Sequence, residues 1–302
     1  MGRPSRSEGL DPETQYAEIY ANLGEYEFPW DITQALSFAL FRTYAVPSIG
    51  SLLDRTGEFT ERTQKRHDDT SILLDIPGIH GLDSPEGKAA IRRINQMHRM
   101  YDISDDDMRY VLATFVVTPR RWVDSYCHRR LTETEVTASV RYYQALGARM
   151  GIKDIPADYD AFDAFLNDYE RDHFAYDDGA RRVADATMRL FKSFYVWPFG
   201  LGMGLFGRAI MDPPLLAAFH YDNPAPAVRK AAAGALRVRS RFTALLPERK
   251  RPKYAHSRRR IRSYPRGFEA EKMGTFTPGC PVRRDAPGQA AATEPDPVIR
   301  SA

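Results

Sequence analysis

The chain has 302 residues, with 43 Lys and Arg against 40 Asp and Glu, a formal net charge of +3. Hydrophobic residues at 43% and charged residues at 27% exclude a disordered chain, a collagen-like repeat and a polytopic membrane protein. Cys127 and Cys280, the two cysteines, are too few and too far apart for a disulfide scaffold, a zinc knuckle or a cysteine-ligated iron–sulfur cluster. The opening MGRPSRSEGLDPETQ has no apolar core of signal-peptide length, so the expected setting is cytoplasmic and reducing.

From about Asp11 to Pro247 the text predicts helix after helix. Residues 30–46 are mostly apolar and too long for one strand, so a buried helix is expected. Residues 61–74 alternate charged and apolar positions at helical spacing, and Pro77-Gly78 is expected to end them. Ser84-Pro85-Glu86 opens the next helix with a capping serine and a first-turn proline, and on it Ile91, Ile94, His98 and Tyr101 share one face. Ser104 caps a helix whose first turn carries Asp105, Asp106 and Asp107 at the positive end of the dipole. That helix is expected to break near Pro119 and to resume through Trp122 and Tyr126. Residues 132–150, 159–174, 180–197 and 228–246 complete the set. The fold class is mainly α, a single helical domain over residues 1–247.

Beyond Pro247 the composition changes. Residues 1–247 hold 30 basic and 34 acidic side chains, whereas residues 248–302 hold 13 basic and 6 acidic. The run ERKRPKYAHSRRRIRSYPR is followed by text rich in Gly, Pro and Ala. Such a segment is expected to bury no core and to be extended, free or lying against the body. Its charge fits an anionic lipid surface, which makes a peripheral membrane contact the expected partner. Nucleic acid is not expected, because no reading helix or nucleic-acid-binding fold accompanies Tyr254 and Tyr264.

Gly202-Met203-Gly204-Leu205-Phe206-Gly207 fits G-x-G-x-x-G. A dinucleotide site would also need a strand entering the turn and a βαβ unit around it, and neither is predicted. The expected structure is a glycine-rich bend in an apolar stretch, residues 193–207, with the stretch itself buried in the core, lining a channel or lying at a membrane interface. The seven histidines form no H-E-x-x-H and no close chelating pair. His98, on an apolar helix face, reads either as a satisfied core histidine or as the neutral axial imidazole of a haem iron. Arg62, Arg66 and Thr70 follow at i, i+4 and i+8, with Asp69 placed to pair with Arg66. They read either as a solvated face or as a helix supplying arginines and a hydroxyl to a buried anion or oxygen ligand.

Together the runs Arg62-x-x-x-Arg66-x-x-Asp69-Thr70, Arg93-Ile94-Asn95-x-x-His98-x-x-Tyr101 and Ile103-Ser104-x-x-Asp107-Met108-x-Tyr110-Val111-Leu112 resemble the catalytic domain of the rubber oxygenases and MpaB-type oxygenases. The specific resemblance covers residues 60–126. It implies a helical haem-b oxygenase that uses dioxygen on a hydrophobic, isoprenoid or lipid-like molecule, with cleavage of a C=C bond as the family's reaction. His98 would be the iron ligand, Arg62 and Arg66 would help hold the cofactor, and Arg66, Asp69 and Thr70 would be the catalytic candidates. The latex-clearing branch has a lysine immediately before the threonine, where Asp69 stands here. Its upstream glutamate base has no counterpart in register, Glu58 and Glu61 being the nearest. Both departures favour the MpaB-like side. The competing reading from another class is a non-enzymatic helical protein that binds anionic surfaces through its basic tail.

Overall fold

The computed structural model describes residues 5–195, 199–254, 257 and 261–274, without the side chains of residues 199–201. Thirteen α-helices and no strand occur among the described residues. They are α1 Tyr16–Ala21, α2 Pro29–Thr43, α3 Pro47–Arg55, α4 Glu58–Glu61, α5 Thr63–His80, α6 Pro85–His98, α7 Asp105–Tyr126, α8 Glu133–Arg149, α9 Tyr159–His173, α10 Asp178–Ser193, α11 Phe199–Ile210, α12 Pro213–Ala218 and α13 Pro226–Leu245. A π-helical turn, Asn22–Glu27, links α1 to α2, and a 3-10 turn, Ala270–Lys272, lies near the end of the described chain.

The caps explain where several helices begin. Ser84 accepts from the Gly87 amide and Ser104 from the Asp107 amide, and Thr132 with Glu135 forms a reciprocal capping box. α7 runs through the middle of the molecule, with α2, α8 and α9 packed on it. Tyr110, Leu112, Val117, Phe162 and Leu166 form part of the main core. Arg42 from α2 is buried there, and its Nε donates to Glu170 at 2.8 Å, while Tyr110 Oη donates to the same carboxylate at 3.1 Å. A charge this deep is tolerated because every strong partner is supplied.

Four expectations need correction. Pro77 does not end α5, which continues to His80. Ile72, Leu73, Ile76 and Pro77 are buried against α6, and that packing outweighs the lost backbone hydrogen bond. α7 likewise passes through the buried Pro119 without a break. The glycine motif is no bend but part of α11, where a Cβ at Gly207 would meet Met188 Cε at 2.8 Å, so the missing side chain admits α10. The surrounding stretch is not sealed in the core either, since Leu205 is 42% exposed. Trp197, where the sequence placed the end of α10, and Cys280 lie outside the described residues.

The fourth correction concerns the chain beyond Pro247. Residues 261–274 form a strap across α5 and α6, and its Met273 is fully buried with Ile72, Leu73, Ala90 and Ile94. Arg93 Nε donates to the Met273 carbonyl at 2.5 Å. The strap lies against the body, as one of the sequence's alternatives had it, but it also buries Met273 and packs Ile261, Tyr264, Phe268 and Ala270 on the same cluster.

Candidate functional site

α5 places different chemistry on its two sides. At i and i+4, Arg66 and Thr70 point the same way, and both line an apolar cavity of about 280 Å³. The cavity lies between α2, α3, α5, the C-terminal end of α6, α7 and α10, with walls that include Leu40, Leu53, Ile94, Val111 and Phe115. Asp68 and Asp69, turned away from it, face the strap. Asp69 is 1% exposed and takes hydrogen bonds from Lys65 Nζ at 2.7 Å and from Tyr264 Oη. The expected Arg66–Asp69 pair does not form.

His98 is the last residue of α6 and reaches the same cavity, as does Tyr101 just beyond it. Its Nδ1 is buried and has no hydrogen-bond partner among the described residues. Burial first, and the positive charge of Arg66 second, lower its pKa to about 4, so the ring is neutral at physiological pH. Arg66 is also desolvated, which lowers its pKa, yet a guanidinium remains charged. It donates to Thr70 Oγ1 and lies over the Phe59 ring at 5.1 Å, and among the described residues it has no carboxylate at ion-pair distance. Thr70 Oγ1 in turn donates to the Arg66 carbonyl at 2.9 Å.

The structure thus gathers His98, Arg66 and Thr70 on one cavity and leaves two expected residues outside it. Arg62 precedes α5, is 53% exposed and pairs with Glu58, because the turn from α4 directs it to solvent. Asp69 sits one residue before Thr70, about 100° round the helix, and so belongs to the strap interface.

The sequence offers His67, with His173, as the first alternative to His98 for the iron, and His67 too lines the cavity. Its Nδ1 is 3.1 Å from Oδ1 of the buried Asp68, and its ring packs on Phe191 and Phe194 at 6.1 and 5.5 Å. The adjacent His-Asp pair was the available signal. Its orientation depends on α10 and the strap, which local spacing does not encode. Glu58 also lines the cavity but is held by Arg62, and no cluster of three or more metal-ligating side chains occurs among the described residues.

Beside this geometry, a neutral imidazole and a guanidinium without a carboxylate on apolar walls, the comparisons with known proteins give the chain a family. Residues 47–254 match the family described as ER-bound oxygenase mpaB/B'/Rubber oxygenase, catalytic domain. The chain is 31% identical over 245 residues to the ER-bound oxygenase mpaB' of Penicillium brevicompactum, covering 74% of this chain and 57% of that protein. It is 31% identical over 215 residues to the ER-bound oxygenase mpaB of the same fungus, covering 65% and 54%. With the ER-bound oxygenase mpaB of Penicillium roqueforti it shares 30% over 227 residues, covering 68% and 74%. The chain spans just over half the length of the first two relatives.

Proposed function

The chain belongs to the mpaB and rubber oxygenase catalytic-domain family, and we propose that it is a haem-b-dependent oxygenase acting with dioxygen on an apolar, isoprenoid or lipid-like molecule. The observation that carries this reading is two polar groups short of partners on one apolar cavity: the buried nitrogen of a neutral His98, with no hydrogen-bond partner among the described residues, and the desolvated Arg66, held by Thr70 but by no carboxylate. Leaving such groups without partners costs on the order of 1–3 kcal/mol each, a cost that a bound group removes. An iron porphyrin matches both, since it needs a neutral imidazole and carries carboxylates that a guanidinium can hold.

Haem supplies the dioxygen chemistry that amino-acid side chains lack. His98 would provide the axial nitrogen. Arg66 would hold a propionate or donate to an oxygen atom, with Thr70 Oγ as a further hydrogen-bonding group. Leu40, Leu53, Val111 and Phe115 would bind the apolar substrate and exclude water. Purified protein should show a Soret band, and His98→Ala should lose it while keeping helical content. A colourless, fully folded preparation from haem-supplemented cells would sink the reading.

A peripheral membrane location belongs to the same proposal. No single described helix is long and apolar enough to cross a membrane. On α13, however, Val238, Phe242 and Leu245 recur at i, i+4 and i+7 and are 66%, 63% and 83% exposed. The exposed Arg249, Lys250 and Arg251 follow immediately. Apolar side chains on one helix face beside basic residues suit the headgroup boundary of an anionic bilayer, where greasy substrates dissolve. The relatives' description as ER-bound supports this placement.

A further inference from the structure

We propose that His67 is the proton-transfer residue of the cavity, with Asp68 as its positioning residue; this rests on the oxygenase reading above. Asp68 is fully buried and its carboxylate is saturated. Oδ1 takes a hydrogen bond from Gln64 Nε2 at 2.8 Å and meets His67 Nδ1 at 3.1 Å. Oδ2 accepts from the Arg262 and Ser263 amides at 3.0 and 2.9 Å and from Ser263 Oγ at 2.7 Å. Burial works to raise the Asp68 pKa, but the hydrogen bonds from His67 and the strap outweigh it and hold the carboxyl below its ordinary range.

A permanent anion at Nδ1 dictates that this nitrogen carries the hydrogen. Nε2 is then the working atom, and it has no hydrogen-bond partner among the described residues. Phe191 of α10 and Phe194, just past its end, pack on the ring. The charged groups around it are Asp68 and Arg66 on its own helix and Arg262 of the strap, whose guanidinium lies over Phe194 at 5.7 Å.

The alternatives lining the cavity are occupied or exposed. Glu58 pairs with Arg62, and Asp107 accepts from Ser48 and Tyr169 at 2.9 Å each. Burial raises the Tyr44 hydroxyl to about 12, and Asp102 lies in solvent at the rim.

The step moves one proton and no electrons. The Nε2–H bond of the imidazolium breaks, its pair staying on nitrogen, and an O–H bond forms on an oxygen atom that dioxygen has delivered to the substrate. The neutral imidazole then recovers its proton from solvent before the next turnover. Asp68 remains a carboxylate throughout.

The test uses haem-loaded full-length protein with farnesol as the probe. His67→Gln should lower oxygen uptake at least about 100-fold at unchanged haem content and Soret position. Asp68→Asn should lower oxygen uptake at least about 10-fold with His67 still present, because the carboxylate that orients the ring and fixes its tautomer is gone. In the diamagnetic carbon-monoxide complex, long-range nitrogen–proton NMR should show His67 as the Nδ1–H form when neutral, a reading independent of turnover. Turnover of His67→Gln within twofold of the parent, or an Nε2–H form in the spectrum, would overturn this inference and leave the oxygenase reading standing. A protein that takes up no haem would overturn both.

Discussion

Arg66 and Thr70 hold each other in place inside the cavity, and the guanidinium keeps donors to spare. If those donors serve a propionate or a reacting oxygen, Arg66→Gln and Thr70→Val should each lower oxygen uptake by about 10- to 100-fold while haem content falls far less. Equal turnover in Arg66→Gln would make the residue a structural one. Glu25 offers a separate test at the same scale. Burial, and next the charge of Asp75, raise its pKa from 4.5 to about 7. The folded state therefore favours the protonated form, so its contribution to stability is complete below pH 4.5 and is lost as pH rises through about 7. Because solvent screens this half-buried group, Glu25→Gln should stabilise the protein by about 1 kcal/mol at pH 8 and by nothing measurable at pH 4. Denaturant melts at the two pH values check this, and an equal change at both would rule out ionisation as the cause.

At the level of elements, the strap is where the molecule departs furthest from its text. Met273→Ala should destabilise the fold by about 2–4 kcal/mol, read from the urea midpoint, because Met273 is sealed between α5 and α6. A cost below about 0.5 kcal/mol would mean that the strap adds no core. Two caps were legible because they are local: Ser84 and Ser104 each meet an amide three residues on. Pro77, Pro119 and the glycines of α11 misled because distant packing decided their conformation. The same distinction runs through the site. Spacing put Arg66 and Thr70 on one helix face and His98 on an apolar one, and the family resemblance singled them out, whereas the surroundings of Asp68 and Asp69 depend on strap residues 194 or more positions away.

For the whole molecule, the proposed membrane contact rests on the exposed apolar side chains of α13 and the exposed basic residues that follow it in the chain. Full-length protein should co-sediment with anionic vesicles, and Phe242→Asp should weaken that binding at any salt concentration. Replacing Arg249, Lys250 and Arg251 by Gln should weaken it mainly at low salt, since each basic side chain near such a surface contributes on the order of 1 kcal/mol. Unchanged sedimentation of both variants would move the contact elsewhere.

Haem bound through His98 is the central claim, and the visible spectrum of the purified protein addresses it most directly. Native protein should show a Soret band at close to one haem per chain, and His98→Ala, with unchanged far-ultraviolet circular dichroism, should show none. A folded His98→Ala variant that retains haem and the parent spectrum would contradict the account.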